Sequence, residues 1–178
     1  MTRWTVHGER PIYQSEWVGL SLVDVELPDG TRIDHHVVRI PADASGTVVE
    51  DPERGVLLLW RHRFITDTWG WEVPAGRVDD GETPEEAAAR ETLEETGWEI
   101  AAPERLISYH PHNGSSDVRF HLFRARGARH VGEPSDPNEA ELGEWLPWSE
   151  VRAEMAAGRV LDGLSLTALL WAATFPVS

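Results

Sequence analysis

The chain has 178 residues, 40 % hydrophobic and 26 % charged, the balance of a folded globular protein with one sizeable core. Its 31 acidic side chains against 16 basic ones give a formal net charge of -15, which opposes binding to nucleic-acid backbones or anionic lipid and calls for a cation if the substrate is itself an anion. There is no cysteine and no lysine, which excludes disulfides, thiolate metal sites, cysteine nucleophiles, Schiff-base chemistry and a P-loop. No leader-like segment and no apolar run of about 18 residues is present, so a cytoplasmic protein that avoids membranes is expected.

In chain order, residues 17–26 partly alternate and read as a strand, Pro28-Asp29-Gly30 as a tight turn, and residues 31–40 as the returning strand of an N-terminal hairpin. Pro41 to Gly46 reads as a polar connection. Val56 to Trp60 is a continuous apolar run that leaves through Arg61-His62-Arg63, the pattern of a buried central strand with a polar exit. Trp71–Val73, Leu106–Tyr109, Val118–Arg124 and Glu141–Leu146 are further strand candidates. Ser149–Ala157 and Ser165–Ala173 read as helices opened by serine caps, with Leu166, Leu169 and Leu170 of the second facing the core.

The segment with the clearest punctuation is 84–96. Thr83 is a natural N-cap, Pro84 stands at the first helical position, Glu86 completes a capping box, and Gly97 supplies the left-handed stop. At about 100° per residue, Glu91, Glu94 and Glu95 share one wedge with Ala87 and Ala88. Three carboxylates at that spacing repel one another. Hard oxygen ligands on a rigid face are what Mg2+ or Mn2+ requires, and small alanines let another segment approach. Arg90, just off the wedge, can pin a glutamate. Upstream, Glu72-Val-Pro-Ala-Gly-Arg77 is a strand entering a loop whose carbonyls can add a ligand.

From Gly76 to Trp98 the residues read Gly, five residues, Glu82, seven residues, then Arg-Glu-Thr-Leu-Glu-Glu-Thr-Gly-Trp. This resembles the box of the Nudix hydrolases, with every fixed polar and glycine position filled; Thr92 and Trp98 stand where aliphatic residues are usual. The resemblance implies an α/β fold, a Nudix-type α/β/α sandwich with a mixed sheet preceded by the N-terminal hairpin. It implies a hydrolase domain over 41–178, with residues 1–40 as a dimerisation element. It implies Mg2+ (or Mn2+) held by Glu91, Glu94, Glu95 and the Ala75 carbonyl, while Gly76, Glu82, Arg90 and Gly97 shape the motif. The hairpin and the Arg61-His62-Arg63 exit are similar to the ADP-ribose pyrophosphatase branch. That likeness implies hydrolysis of a nucleoside diphosphate sugar by a homodimer, with Arg63, Arg61 and Glu72 at the substrate and Trp17 stacking on its base. After the box, His110 to Val118 differs from that branch, with Val118 where an acid is usual, so other nucleoside diphosphate derivatives remain open; His110 and His112 are candidate substrate contacts. The general base is expected in the Gly132–Gly143 loop, at Glu139 or else Glu141, with Glu94 as a box alternative. Hydrolysis of a nucleoside triphosphate, or a sensing module that keeps the fold without catalysis, are the alternatives.

Overall fold

The computed structural model describes residues 2–135 and 140–175. It falls into two compact units, residues 1–43 with 110–119, and residues 44–109 with 120–178.

The first unit is an antiparallel sheet of β1 (Thr5–Gln14), β2 (Gly19–Glu26) and β3 (Arg32–Arg39), in that order. The expected hairpin is β2–β3, paired from Gly19↔Arg39 to Glu26↔Arg32. β1 is an addition. Charged and conformationally odd residues (Gly8-Glu9-Arg10-Pro11) hide it in the sequence, every residue in it is exposed, and its ladder with β2 slips at Val6/Gly8 and Pro11/Tyr13. Segment 110–119 seals the far edge of β3: the Val38 amide donates to the Ser115 carbonyl at 2.8 Å, and Arg39 reaches Asp117 at 3.0 Å. Sealing one edge of a short sheet in this way limits unwanted strand pairing there.

The second unit holds β4 (Ala44–Asp51), β5 (Gly55–Arg63), β6 (Thr68–Glu72), β7 (Ala75–Arg77), α1 (Pro84–Thr96), β8 (Trp98–Ile100), β9 (Glu104–Tyr109), β10 (Phe120–Arg126), β11 (Ala128–His130), β12 (Leu142–Leu146), α2 (Trp148–Ala156) and α3 (Gly163–Thr174). The main sheet runs β12-β5-β4-β10-β9 and is mixed, since β10 pairs β4 in parallel and β9 antiparallel. β4 and β5 pair only from Val49↔Leu57 to Asp51↔Gly55 and then part. Into that fork go β6, paired to β5, and β7, paired to β4. The fork delivers the loop between β6 and β7 to α1. β8 and β11 form a separate small ladder.

β4 sits at the centre, yet its first residues read as a polar connection. It is buried on both faces, so it shows no alternation, and its polar side chains are satisfied locally. The Ser45 hydroxyl donates to the Pro84 carbonyl at 2.6 Å, and that of Thr47 to the Ala88 carbonyl at 3.4 Å. The core joins Val48, Val56, Leu58, Val73 and Leu122 to Leu164, Ala168 and Leu169 of α3.

Helix α1 has the bounds its punctuation predicts, with both bonds of the capping box formed. The two later helices correct their expected caps. α2 starts after Pro147 with no side-chain cap, and α3 is capped by Asp162, whose carboxylate accepts from the Ser165 amide. Ser165 instead lies inside α3, fully buried, where its hydroxyl accepts the Val73 amide at 3.0 Å. Leu169 faces the core as expected, but Leu170 is 50 % exposed, because Ala168 and Ala172 take the buried side.

Candidate active site

The site grows from the fork. Val73-Pro74 crosses from β6 to β7, pinned by Ser165 and by the Thr47 amide donating to the Pro74 carbonyl at 3.0 Å. β7 then lies under α1, whose Ala87 and Ala88 are fully buried. Alanine there removes the bulk that would hold helix and loop apart, so the glutamates one turn later meet the loop directly.

Glu91 is pressed against the backbone of Gly76. A Cβ at that position would stand 2.1 Å from the Glu91 carboxyl carbon, so any larger residue would push that carboxylate aside. At the far end of α1, Gly97 has φ 71° and a Cβ there would meet the Gly132 carbonyl oxygen at 1.9 Å. Gly97 is therefore demanded by close backbone approach and by its conformation, while Gly76 leaves the Glu91 carboxylate its place against the loop.

The three glutamates sit in graded surroundings. Glu95 is buried: its Oε2 accepts from the Ala75 amide at 2.9 Å and its Oε1 from Arg61 at 2.7 Å. Glu91 is mostly covered, and Glu94 is about half exposed. One Arg90 nitrogen donates to both, at 2.7 Å and 3.0 Å. The rest of the Arg90 fork grips Glu82 twice, at 2.9 Å each, and the Arg77 carbonyl at 2.9 Å. Glu82 also accepts from the Asp79 amide, closing the loop before the helix. The Arg90 guanidinium holds the Glu82 carboxyl below the usual carboxylate range, and Glu82 first, then Glu91 and Glu94, raises Arg90 further above its ordinary value.

A second cluster adjoins on β5 and β6. Glu72 is buried and takes a two-pronged grip from Arg63, while Arg61 lies 3.8 Å from it. Glu72 raises Arg63 above its ordinary value. Arg61 is 4 % exposed, a bridge between two buried carboxylates, whereas the Arg63 side chain is 54 % exposed at the rim. On the other face of the same two strands Trp69 stacks on Trp60 at 6.2 Å, and Trp71 packs against Trp60 at 5.1 Å. Sequence reasoning passed over this aromatic wall; its signal is the placing of Trp69 and Trp71 two apart on one strand, opposite Trp60.

The structure thus joins Ala75, Gly76, Glu82, Arg90, Glu91, Glu94, Glu95, Arg61, Arg63 and Glu72 in one neighbourhood. Trp17 belongs to the first unit, 66 % exposed in the β1–β2 connection, where the Ser15 hydroxyl accepts the Trp17 amide. His110 is also in that unit and donates from Nδ1 to the Val118 carbonyl at 3.0 Å. Glu139 lies outside the described residues. Glu141 is exposed, its amide donating to the Trp60 carbonyl at 2.9 Å, and at the other end of the same loop the Ser135 amide donates to the Glu94 carbonyl at 2.9 Å.

The two unusual box positions are accommodated by packing. Buried Thr92 returns its hydroxyl proton to the Ala88 carbonyl at 2.7 Å. Trp98 lies under the Arg54 guanidinium, 4.9 Å from its ring centre, and meets Trp145 edge-on.

The NUDIX domain family matches residues 41–163, a span that contains the whole box and the fork. The chain belongs to the Nudix family. A CMP-5'-(N-acetyl-N-hydroxy-3-aminopropyl)phosphonate hydrolase of Streptomyces rubellomurinus is 40 % identical over 94 % of this chain and 81 % of its own length. An ADP-ribose pyrophosphatase of Bacillus subtilis is 29 % identical over 77 % of this chain and 74 % of its own. The crystal structure of an ADP compounds hydrolase superposes with a TM-score of 0.86 over 98 % of this chain and 94 % of that one, at 17 % identity, so the fold is shared well beyond the box. The protein is accordingly a Nudix pyrophosphohydrolase, an enzyme acting on acid anhydrides. No helix among its described residues is long and apolar enough to cross a membrane.

Within the described residues, no three His, Cys, Asp or Glu side chains already converge as a metal cage. Arg61 and Arg90 hold the carboxylate oxygens instead. The donor set nonetheless suits a hard divalent cation. It is all oxygen, mounted on one helix, with Gly76 leaving room for Glu91 against the loop.

Proposed function

We propose that this Nudix hydrolase splits the P–O–P bond of a nucleoside diphosphate derivative whose far phosphorus carries a non-nucleoside group, with ADP-ribose the first compound to test. One observation carries the reading: Glu91 and Glu95 meet the Ala75–Gly76 backbone, Glu94 shares Arg90 with Glu91, and an exposed arginine, Arg63, stands in the adjoining cluster. Glu91, Glu94, Glu95 and the Ala75 carbonyl would hold Mg2+ or Mn2+. When bound, such an ion supplies neutralisation of the phosphate charge and acidifies a water ligand.

The chain's own groups do the rest. Arg63 offers a planar fork to phosphate oxygens once it lets go of Glu72. Arg90 keeps Glu91 and Glu94 aligned. A carboxylate of the Gly132–Gly143 loop, Glu139 or Glu141, takes the proton of the attacking water, with Glu94 as the half-exposed alternative inside the box. Water adds across the anhydride and the P–O–P bond breaks, releasing a nucleoside monophosphate and the non-nucleoside group still attached to the second phosphorus, now a free phosphate or phosphonate.

Residues 1–40 serve as the dimerisation element, residues 41–178 as the catalytic domain, and Trp17 as the residue offered to a partner's substrate. The enzyme acts in the cytoplasm.

A second substrate reading has its own support. The Streptomyces rubellomurinus relative is named for a CMP-linked phosphonate, and its match extends over 94 % of this chain. A cytidylyl phosphonate keeps the same anhydride, with a P–C bond on the far phosphorus. A panel of ADP-ribose, GDP-mannose, a CMP-alkylphosphonate and a nucleoside triphosphate, each with Mg2+ and with Mn2+, separates the readings. Release of nucleoside monophosphate from one of the first three is expected, and its loss by at least about a hundredfold in Glu95→Gln. Turnover of the triphosphate alone refutes the substrate class, and an undiminished Glu95→Gln refutes the metal assignment.

A further inference from the structure

We propose that Arg61 is a built-in counter-ion for Glu95, a positioning residue that occupies a carboxylate oxygen until a divalent cation displaces it and so sets how tightly that cation binds. The inference rests on the reading that Glu95 is a metal ligand.

Burial makes a counter-ion necessary. Both side chains are nearly inaccessible, 4 % exposed for Arg61 and 3 % for Glu95. A carboxylate so placed cannot remain charged without compensation. Its Oε2 takes the neutral Ala75 amide, and its Oε1 takes a charged donor, Arg61, at 2.7 Å. A cation arriving at Glu95 therefore meets a like charge beside the oxygen it needs, a repulsion that works against its binding.

The arginine has somewhere to go. Its other terminal nitrogen already stands 3.8 Å from Glu72, itself buried, whose oxygens also accept from Arg63 and can take a second donor. A short swing converts that longer contact into a hydrogen bond and releases Oε1. The planar fork of arginine suits a bridge between two carboxylates, which a single ammonium point does not. Arg90 differs, since its grip on Glu91 and Glu94 is one part of a wider net that includes Glu82 and a backbone carbonyl.

The test titrates the full chain with Mn2+, following free Mn2+ by electron paramagnetic resonance, and records melting with EDTA or with Mn2+. Arg61→Gln should bind Mn2+ at least about threefold tighter and melt lower in EDTA, while Arg61→Lys, which keeps the charge, stays within about twofold of wild type. Glu72→Gln removes the alternative acceptor and should weaken Mn2+ binding by about threefold, an independent reading if Arg61→Gln does not fold. Unchanged or weaker binding in Arg61→Gln, or unchanged or tighter binding in Glu72→Gln, overturns the proposal. Glu95→Gln separates the two levels. If its Mn2+ affinity is unchanged, the ligand reading itself fails; if it is weakened while Arg61→Gln stays at the wild-type value, only the counter-ion fails.

Discussion

Arg90 and Arg61 do similar work in different surroundings. Arg90 is 29 % exposed and spreads its donors over Glu82, Glu91, Glu94 and a carbonyl, most of them within reach of water. Arg61 is sealed in and serves two carboxylates that are as buried as itself. The first cluster fixes the shape of a loop and a helix, and solvent shares the electrostatic load. In the second, burial leaves little water to share that load, so each charge depends on its partners.

The comparison is tested hardest by deleting each guanidinium. Arg61→Ala takes the charged donor at 2.7 Å from buried Glu95 and should cost about 3–5 kcal/mol in urea unfolding. Arg90→Ala should cost clearly less, and equal losses would show that burial does not divide the two clusters. Next in size is Gly76→Ala, whose new methyl would collide with Glu91. It should lower kcat by at least about tenfold, while the melting temperature falls by only a few degrees, about what a loss near 1 kcal/mol gives in a domain of this size; a large stability loss with normal kcat would detach Glu91 from catalysis.

The smallest effect concerns pH and the exposed cluster. Glu82 has its folded pKa depressed, first by Arg90. Its contribution to stability is therefore complete above the unfolded glutamate pKa of about 4.3 and disappears as pH falls through the lower folded value. Melting temperatures recorded from about pH 6 down to pH 3 should fall less steeply in Glu82→Gln than in wild type. Parallel curves would mean that the Arg90 net contributes nothing on the acid limb.

What could be read from the chain beforehand follows the range of the interactions involved. Thr83, Pro84, Glu86 and Gly97 act within one or two turns, so α1 and its carboxylate wedge were legible to the residue. The box match carried the fold class and the hydrolase activity. β4 was not legible, because Ser45 and Thr47 are polar residues made acceptable by carbonyls some 40 positions away on α1. β1 lacked any alternation, since neither of its faces is buried. The serine caps misled because Ser165 answers to Val73 across the sheet rather than to its own helix. The Arg61 bridge escaped for the same reason: only the fold shows that an arginine leaving an apolar strand stays inside.

The parting of β4 from β5 after three residue pairs has a further consequence. The arm that fills the gap hangs on one neighbour at a time, β6 on β5 and β7 on β4, while the parallel ladder of β4 with β10 runs on uninterrupted for seven pairs. Residues 64–67 at the arm's tip can therefore lengthen, shorten or change character without disturbing either the ladder or the helix. Phe64 and Ile65, each 83 % exposed, already use that freedom. Change in this part of the molecule comes at little structural risk, and the acidic helix stays as it is.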